Sequence, residues 1–259
     1  MTAPVPSLPD LLSGEGSYLL GWSCLADPAL AGLMARSGFD VVLLDQQHGT
    51  YDVPTCVAGL TELALAGKPG LVRISVGDFR MASRMLDAGA AGIVAPMINT
   101  VEDAKALVAA TKFPPVGQRS WGPDRAMVFS GLDNPQEYLT QANGRTMTIA
   151  MCETREAIAN LPDIVAVPGI DGILVGPGDL SIALSNGAAF DPLGSAVTEA
   201  LGEIVRVTLA AGKVPCAFAA GAARASEMLT MGFKLSSIGY DGLLISDAFA
   251  KAVAEARQA

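Results

Sequence analysis

The feature that most constrains the fold is a repeated alternation of short apolar runs with helical patterns along a chain of 259 residues. Such alternation is typical of βα units that build a parallel sheet. Eight runs are predicted as strands, namely Tyr18–Cys24, Val41–Asp45, Leu71–Ser75, Ile93–Ile98, Met147–Glu153, Gly172–Val175, Val214–Ala219 and Leu235–Gly239. The length matches the roughly 250 residues of one (β/α)₈ barrel. We therefore predict an α/β fold, a TIM barrel in which residues 1–259 form one domain.

One segment interrupts this alternation. Residues 113–134 contain the run Pro-Pro-Val-Gly-Gln-Arg-Ser-Trp-Gly-Pro, and they are longer than an ordinary βα connection. The segment is predicted to be either a functional loop or disordered.

Charge and cysteine content narrow the class of protein. The formal net charge of −9 disfavours nucleic acid or an anionic membrane surface as a partner. No apolar run reaches the roughly 18 residues of a membrane helix, and Met1–Pro9 lacks the pattern of a signal peptide. The cysteines Cys24, Cys56, Cys152 and Cys216 are scattered, which favours free thiols in the cytoplasm over disulfides or a zinc site.

Polar residues follow several of the predicted strands. Strand two ends at Asp45, with His48 close behind, and His48 is the only histidine of the chain. Arg73 lies inside strand three, Glu153 ends strand five, and Asp179 follows strand six. Because the carboxyl ends of barrel strands share one face, these side chains are expected to converge there.

Glu153 and Asp179 admit two interpretations. Strands five and six are neighbours in the predicted barrel, so the two carboxylates could lie side by side and bind Mg²⁺ or Mn²⁺, which prefer oxygen ligands. Each acid also lies at the start of a predicted helix, where a carboxylate can serve as an ordinary helix cap. Spacing alone leaves both open.

The remaining polar residues also admit both a structural and a functional interpretation. Arg73 in an apolar strand needs an anion, which could be a substrate or a structural carboxylate. Gly176-Pro-Gly178 could expose backbone N–H groups to an anion at a helix start, although any tight turn has this composition. His48 could be a solvated surface residue, or a base oriented by a carboxylate, for which Asp87 is a candidate.

Longer blocks of sequence at a defined spacing resemble a known family. They are Gly38-Phe-Asp-x-x-x-x-Asp-x-x-His48, Val72-Arg73, Met85-Leu-Asp-Ala-Gly89, Pro96-Met97, Pro114-Pro-x-Gly-x-Arg119, Glu153-Thr-Arg-Glu-Ala157, Gly169-x-Asp-Gly-x-x-x-Gly-Pro-x-Asp-Leu-Ser181 and Gly239-x-Asp241. Together they resemble the HpcH/HpaI aldolase family, whose members include metal-dependent class II pyruvate aldolases of the 4-hydroxy-2-oxoheptanedioate type.

The resemblance implies a phosphoenolpyruvate/pyruvate-type barrel that reversibly cleaves a 4-hydroxy-2-oxo acid to pyruvate and an aldehyde. It implies that Glu153 and Asp179 bind Mg²⁺, Mn²⁺ or Co²⁺, and that the backbone of Gly178 and Asp179 binds the substrate carboxylate. Arg73 would bind the 2-oxo oxygen and stabilise the enolate. A metal and an arginine fixed at this oxygen would stabilise the negative charge that develops there.

The resemblance further implies that His48, paired with Asp87, activates the water that moves the proton of the 4-hydroxyl group. No Schiff-base lysine and no organic cofactor are expected. Members of the family are typically hexamers, built as trimers of dimers that exchange a C-terminal helix. The apolar character of residues 247–254 and the mean hydropathy of +0.40 agree with apolar surface buried between subunits.

Three positions depart from the pattern of the family. Gln47 stands where many relatives have Glu, and Met151 stands where many have Gln. Arg119 is followed by Ser, where relatives often have Gly. A second base beside His48 is therefore not expected, and the aldehyde specificity is expected to differ.

Two other functions fit the same residues. One is a carbon–carbon lyase of the citrate-lyase-β or malyl-CoA-lyase type, which acts on an acyl-CoA, although no basic cluster for a CoA phosphate is evident. The other is a non-catalytic protein that binds oxo-acids.

Overall fold

The computed structural model describes residues 4–258, in which eight parallel strands close into a barrel in sequence order. The strands are β1 (Tyr18–Ser23), β2 (Val41–Asp45), β3 (Gly70–Arg73), β4 (Gly92–Ala95), β5 (Met147–Met151), β6 (Gly172–Val175), β7 (Val214–Ala217) and β8 (Leu235–Tyr240). The predicted (β/α)₈ barrel is confirmed. The predicted domain of residues 1–259 extends beyond the described residues at both ends.

Helices cover the outside of the barrel. Within the described residues they are α1 (Leu8–Leu12), α2 (Pro28–Arg36), α3 (Val53–Leu65), α4 (Phe79–Asp87), α5 (Val101–Thr111), α6 (Asp124–Ser130), α7 (Pro135–Arg145), α8 (Arg155–Ala166), α9 (Pro177–Leu184), α10 (Ser195–Ala210), α11 (Ala222–Thr230) and α12 (Asp241–Gln258). No helix among residues 4–258 is long and apolar enough to span a membrane.

Strand β2 shows how the sequence builds two cores. Its side chains alternate, so Val41 and Leu43 point into the barrel while Val42 and Leu44 pack against the surrounding helices. All four are fully buried, which explains the continuous apolar run. Inside the barrel, α1 adds Leu8 to the same cluster as Leu43. Apolar side chains thus fill the interior of the barrel.

Capping residues begin several helices where the sequence predicts them. Asp27 accepts a hydrogen bond from the Ala29 N–H, and Thr100 accepts one from the Asp103 N–H. Asp78 precedes α4 as predicted but makes no side-chain cap. Several strands end two or three residues earlier than predicted, as β5 does at Met151.

The segment of residues 113–134 is ordered, so the disordered alternative was wrong. It contains α6 and leads into α7, two helices that the sequence analysis did not predict. Phe113, Ala126, Tyr138 and Ala142 form a small separate core beneath it. The segment is therefore a packed excursion between β4 and β5.

The four cysteines are free, as predicted. The last helix, α12, leaves the barrel, and its described residues from Ser246 onward are exposed. Phe249 and Val253 lie on this exposed part with 68% and 49% of their surfaces accessible. The predicted extension of this helix to the C-terminus reaches beyond the described residues.

Candidate active site

A cavity of about 410 Å³ opens at the carboxyl ends of the strands. It is lined by the five polar residues that the sequence predicts at or after strand ends, namely Asp45, His48, Arg73, Glu153 and Asp179, and also by Gly178. The expectation that polar strand ends converge on one face thus holds for these five. They come from four different βα units, so only the closed barrel brings them together.

Glu153 is an almost fully buried acid of the cavity, with 2% of its surface exposed. Its Oε2 accepts a hydrogen bond of 3.0 Å from the Met97 N–H, and Oε1 has no hydrogen-bond partner among residues 4–258. Burial raises the pKa of this carboxyl to about 7, the Met97 N–H opposes the rise, and the charge of Asp179 adds to it. Thr154, and not Glu153, caps α8.

Asp179 lies in the first turn of α9 and is exposed to the cavity. It makes no cap hydrogen bond to that helix, so the helix-cap interpretation fails for both acids. The described residues hold no group of three or more His, Cys, Asp and Glu side chains arranged for a metal. Two carboxylates beside open space suit a cation such as Mg²⁺ or Mn²⁺, which takes oxygen ligands and retains water.

The donor set of this pair also fits a divalent cation on geometric grounds. A Cβ placed on Gly176 would come within 2.8 Å of Glu153 Oε1, so glycine keeps the space at this oxygen open. A buried carboxylate beside a second carboxylate is stabilised in its charged form by a cation between them.

Arg73 is held at the other side of the cavity by Asp45. Its Nε donates to Asp45 Oδ1 at 2.9 Å, and its Nη2 donates to Oδ2 at 2.5 Å. Arg73 also lies over the Trp22 ring, 4.8 Å from the ring centre. The structural ion pair considered from the sequence is present, yet Arg73 still faces the cavity. The guanidinium of Arg73 holds the pKa of Asp45 below its ordinary value in spite of burial.

Asp45 also shapes the turn that carries His48. Its Oδ1 accepts hydrogen bonds from the N–H groups of Gln47 and His48, at 2.9 and 3.3 Å. The imidazole is thereby placed at the exposed rim of the cavity. The Gln47 side-chain oxygen is buried without a hydrogen-bond partner among the described residues. The departure at position 47 therefore adds no charge to this rim.

Asp87 is the one predicted site residue that does not line the cavity. Its Oδ1 accepts a hydrogen bond of 2.6 Å from Arg119 Nη2, and within the described chain no hydrogen bond joins it to His48. The predicted pairing of His48 with Asp87 is thus not made inside one chain, because α4 ends on the outside of the barrel beside the 113–134 segment.

Known proteins resemble this chain over nearly its whole length. The model of a family described as HpcH/HpaI aldolase/citrate lyase matches residues 19–248. The chain belongs to the HpcH/HpaI aldolase/citrate lyase family. The resemblance inferred from the sequence is confirmed, and the family is one of carbon–carbon lyases.

Individual relatives of this family agree with the assignment. A hydroxypyruvate/pyruvate aldolase of Rhizorhabdus wittichii is 36% identical over 92% of this chain and 94% of its own length. A 4-hydroxy-2-oxo-heptane-1,7-dioate aldolase of Klebsiella pneumoniae is 33% identical over 87% of this chain and 84% of its own. The crystal structure of an HpcH/HpaI aldolase from Desulfitobacterium hafniense superposes with a TM-score of 0.89 at 26% identity, covering 97% of each chain.

The sequence analysis missed the apolar wall of this HpcH/HpaI cavity. Trp22, Met151, Phe218 and Tyr240 line it, and the Trp22 and Phe218 rings meet edge to face at 5.0 Å. All four lie at or just after strand ends, so the rule that found the polar residues would have found them too. The rule was applied only to polar residues, and of these four the sequence analysis named only Met151, as a departure from the pattern of the family.

Proposed function

We propose that the chain catalyses the reversible, metal-dependent cleavage of a 4-hydroxy-2-oxo acid to pyruvate and an aldehyde. The observation that carries the proposal is the layout of one cavity, with Glu153 and Asp179 on one side and the Asp45-anchored Arg73 on the other. The aldolase names of the relatives agree with this reaction.

Arg73 supplies a fixed positive charge for the reaction. Cleavage of the bond between carbons 3 and 4 leaves negative charge on the 2-oxo oxygen of the pyruvate half. A guanidinium already held by Asp45 and Trp22 needs no rearrangement to stabilise that charge. Among residues 4–258 the hydrogen bonds of Arg73 use only its Nε and Nη2, which leaves N–H groups for the substrate.

Glu153 and Asp179 would hold the divalent cation, for which Mg²⁺, Mn²⁺ and Co²⁺ are the candidates. When bound, the cation supplies Lewis acidity at the 2-oxo group of the substrate. The two carboxylates bring two negative charges, so they offset the charge of the cation while leaving room for substrate oxygens. None of this requires a lysine that forms a Schiff base, or an organic cofactor.

The start of α9 binds the substrate carboxylate in this proposal. Gly176 and Pro177 open the helix, and the N–H groups of Gly178 and Asp179 lie in its unpaired first turn. Such N–H groups, with the positive end of the helix dipole, favour an anion. The absence of a side chain at Gly178 lets the substrate carboxylate approach the backbone.

His48 handles the proton of the 4-hydroxyl group, through a water, at the rim of the cavity. Its backbone is fixed by Asp45, so the same carboxylate orients both the base and Arg73. Within one chain, Asp87 accepts a hydrogen bond from Arg119. A pairing of Asp87 with His48 would therefore form between subunits or after a rearrangement.

Assembly belongs to the same proposal. We propose that the exposed α12, with Phe249 and Val253, packs on another copy of this chain in a hexamer built from helix-exchanging dimers. Exposed apolar side chains on a helix that leaves its own barrel are stabilised when a neighbour covers them. The enzyme would be a single-domain cytoplasmic protein.

An assay of pyruvate release tests the function. The purified protein, stripped of metal, is given a panel of 4-hydroxy-2-oxo acids with and without Mg²⁺, Mn²⁺ or Co²⁺. Release should require a metal and should be abolished in Glu153→Gln. Cleavage of a CoA thioester with no cleavage of free oxo-acids would favour the acyl-CoA lyase, and pyruvate binding without turnover would favour a non-catalytic protein.

A further inference from the structure

The loop after β4 contains a residue in an unusual backbone conformation beside the cavity. Met97 has a φ of 57°, in the left-handed region that residues with a Cβ rarely adopt. Such a conformation persists only where the surrounding structure imposes it. Its side chain is 37% exposed, so burial of the methionine does not account for it.

The loop is fastened to the helix that follows Glu153. Asn99 Oδ1 accepts a hydrogen bond of 2.6 Å from the Thr154 hydroxyl, and its backbone carbonyl accepts one of 2.8 Å from Asn160. The Asn99 N–H donates to the Asp103 carboxylate at 3.1 Å. The loop that carries Met97 is thus tied through Asn99 to α5 and to α8, the helix that follows Glu153.

The result of this conformation is one hydrogen bond. The Met97 N–H points at Glu153 Oε2, at 3.0 Å, and Oε1 is left without a protein donor among residues 4–258. Gly176 keeps the space beside Oε1 clear, because a Cβ there would lie 2.8 Å from this oxygen. Oε2 of Glu153 is therefore held by a hydrogen bond, and Oε1 is left accessible beside Gly176.

We propose that Met97 is a positioning residue whose backbone N–H holds Oε2 of Glu153, so that Oε1 alone faces the divalent cation. The inference rests on the proposed function, since it concerns the same cation. It assigns the role to the main chain of Met97 and not to its side chain. The fixed carboxylate cannot turn to offer both oxygens, which keeps coordination positions open for substrate.

The direct test replaces the Met97 amide by an ester, through incorporation of the α-hydroxy acid analogue of methionine in the full-length chain. Mn²⁺ binding is measured without substrate by calorimetry, and the bound ion is examined by electron paramagnetic resonance. We expect affinity to fall about tenfold, the value of one hydrogen bond to a charged group, and the Mn²⁺ spectrum to change. Met97→Leu, which keeps the N–H, should bind Mn²⁺ within threefold of the unsubstituted protein.

A matched control is an ester at Ile98, the next residue of the loop, whose N–H has no acceptor among residues 4–258. It should bind Mn²⁺ as the unsubstituted protein does. A second variant, Asn99→Ala with Asn160→Ala, releases the loop by ordinary mutagenesis and should weaken Mn²⁺ binding in the same direction. Thermal melts of the metal-free proteins establish that each variant folds.

The outcomes separate this inference from the proposed function. Unchanged affinity and spectrum in the Met97 ester, or an equal loss in the Ile98 ester, would overturn the positioning role while leaving the metal site in place. If the unsubstituted protein binds no Mn²⁺ at all, the proposed function and the positioning role both fail.

Discussion

Two buried cations at opposite ends of the barrel make an instructive comparison. Lys112, at the amino-terminal end, donates to the carbonyls of Asn143 and Thr146 and lies 2.7 Å from Asp171, so its three N–H donors are all used. Arg73, at the carboxyl end, is paired with one carboxylate and keeps donors directed at a cavity. A saturated cation holds the fold together, whereas an unsaturated one beside open space can bind substrate.

The largest expected effect is a loss of turnover when the guanidinium group of Arg73 is removed. Arg73→Lys keeps the positive charge but cannot bind Asp45 through two parallel hydrogen bonds while also facing the substrate. The kcat of pyruvate release should fall about 100- to 1000-fold, as for the loss of a preorganised donor to a developing oxyanion. Circular dichroism should show a folded protein. A loss below fivefold would mean that Arg73 is structural, like Lys112.

The converse change should cost stability and little turnover. Lys112→Met leaves two carbonyls without their donor, and it leaves Asp171, whose side chain is 31% exposed, without its partner. The loss should cost about 1–3 kcal/mol of unfolding free energy. Urea denaturation of the metal-free protein measures this cost. The kcat per folded molecule should stay within threefold of the unsubstituted enzyme. A large fall in kcat with normal stability would contradict the division between the two ends.

Glu153 gives an effect that depends on pH. Burial raises its pKa from an ordinary value near 4.5 to about 7, so the folded state holds the proton more tightly than the unfolded chain. The contribution of this proton to the free energy of unfolding is therefore complete below pH 4.5. It is lost as the pH rises to about 7, and the free energy of unfolding falls by about 3 kcal/mol. Glu153→Gln should lack this loss.

Melting of the metal-free proteins across pH 4 to 8 checks the expectation for Glu153. The variant should be the more stable protein above pH 7, and the difference should shrink toward pH 4.5. Mn²⁺ should reverse the order at pH 8, because it stabilises only the protein that retains the carboxylate. Parallel pH profiles for the two proteins would show that the Glu153 carboxyl is not perturbed.

The smallest expected effect on stability concerns the ion pair of Arg119 with Asp87. Arg119 is 4% exposed, but the Asp87 side chain is 29% exposed and its second oxygen is free. Asp87→Asn keeps an acceptor for Arg119, so the substitution should lower the free energy of unfolding by only about 1 kcal/mol. If Asp87 also serves His48, kcat should fall tenfold or more with altered dependence on pH. A change in stability alone would assign the pair to the structural class of Lys112.

The sequence predicts the barrel well because its strands are buried on both faces and end sharply. The bounds of β2 and β6 agree with the prediction, and the strand-end rule brought Arg73, Glu153 and Asp179 to one cavity. Each of these signals is local, so the spacing of residues along the chain is enough to detect it.

The features that were not predicted depend on contacts between distant segments. The hydrogen bond from the Met97 N–H to Glu153 requires a positive φ angle at Met97, which a Pro-Met dipeptide does not specify. The contact of Asp87 with Arg119 joins α4 to a segment 32 positions away, which was read as a loop. Helices α6 and α7 have short apolar faces that cover only a small core, so their helical pattern is weak.

The central claim is that the carboxyl-terminal cavity activates pyruvate with a metal held by Glu153 and Asp179. Exchange of the pyruvate methyl protons for deuterium, followed by proton NMR in D₂O, tests it without knowledge of the aldehyde. The account predicts exchange that requires Mn²⁺ or Mg²⁺, stops on chelation, and is lost in Glu153→Gln and strongly reduced in Arg73→Lys. Exchange that persists after exhaustive chelation, or at an undiminished rate in Glu153→Gln, would contradict it.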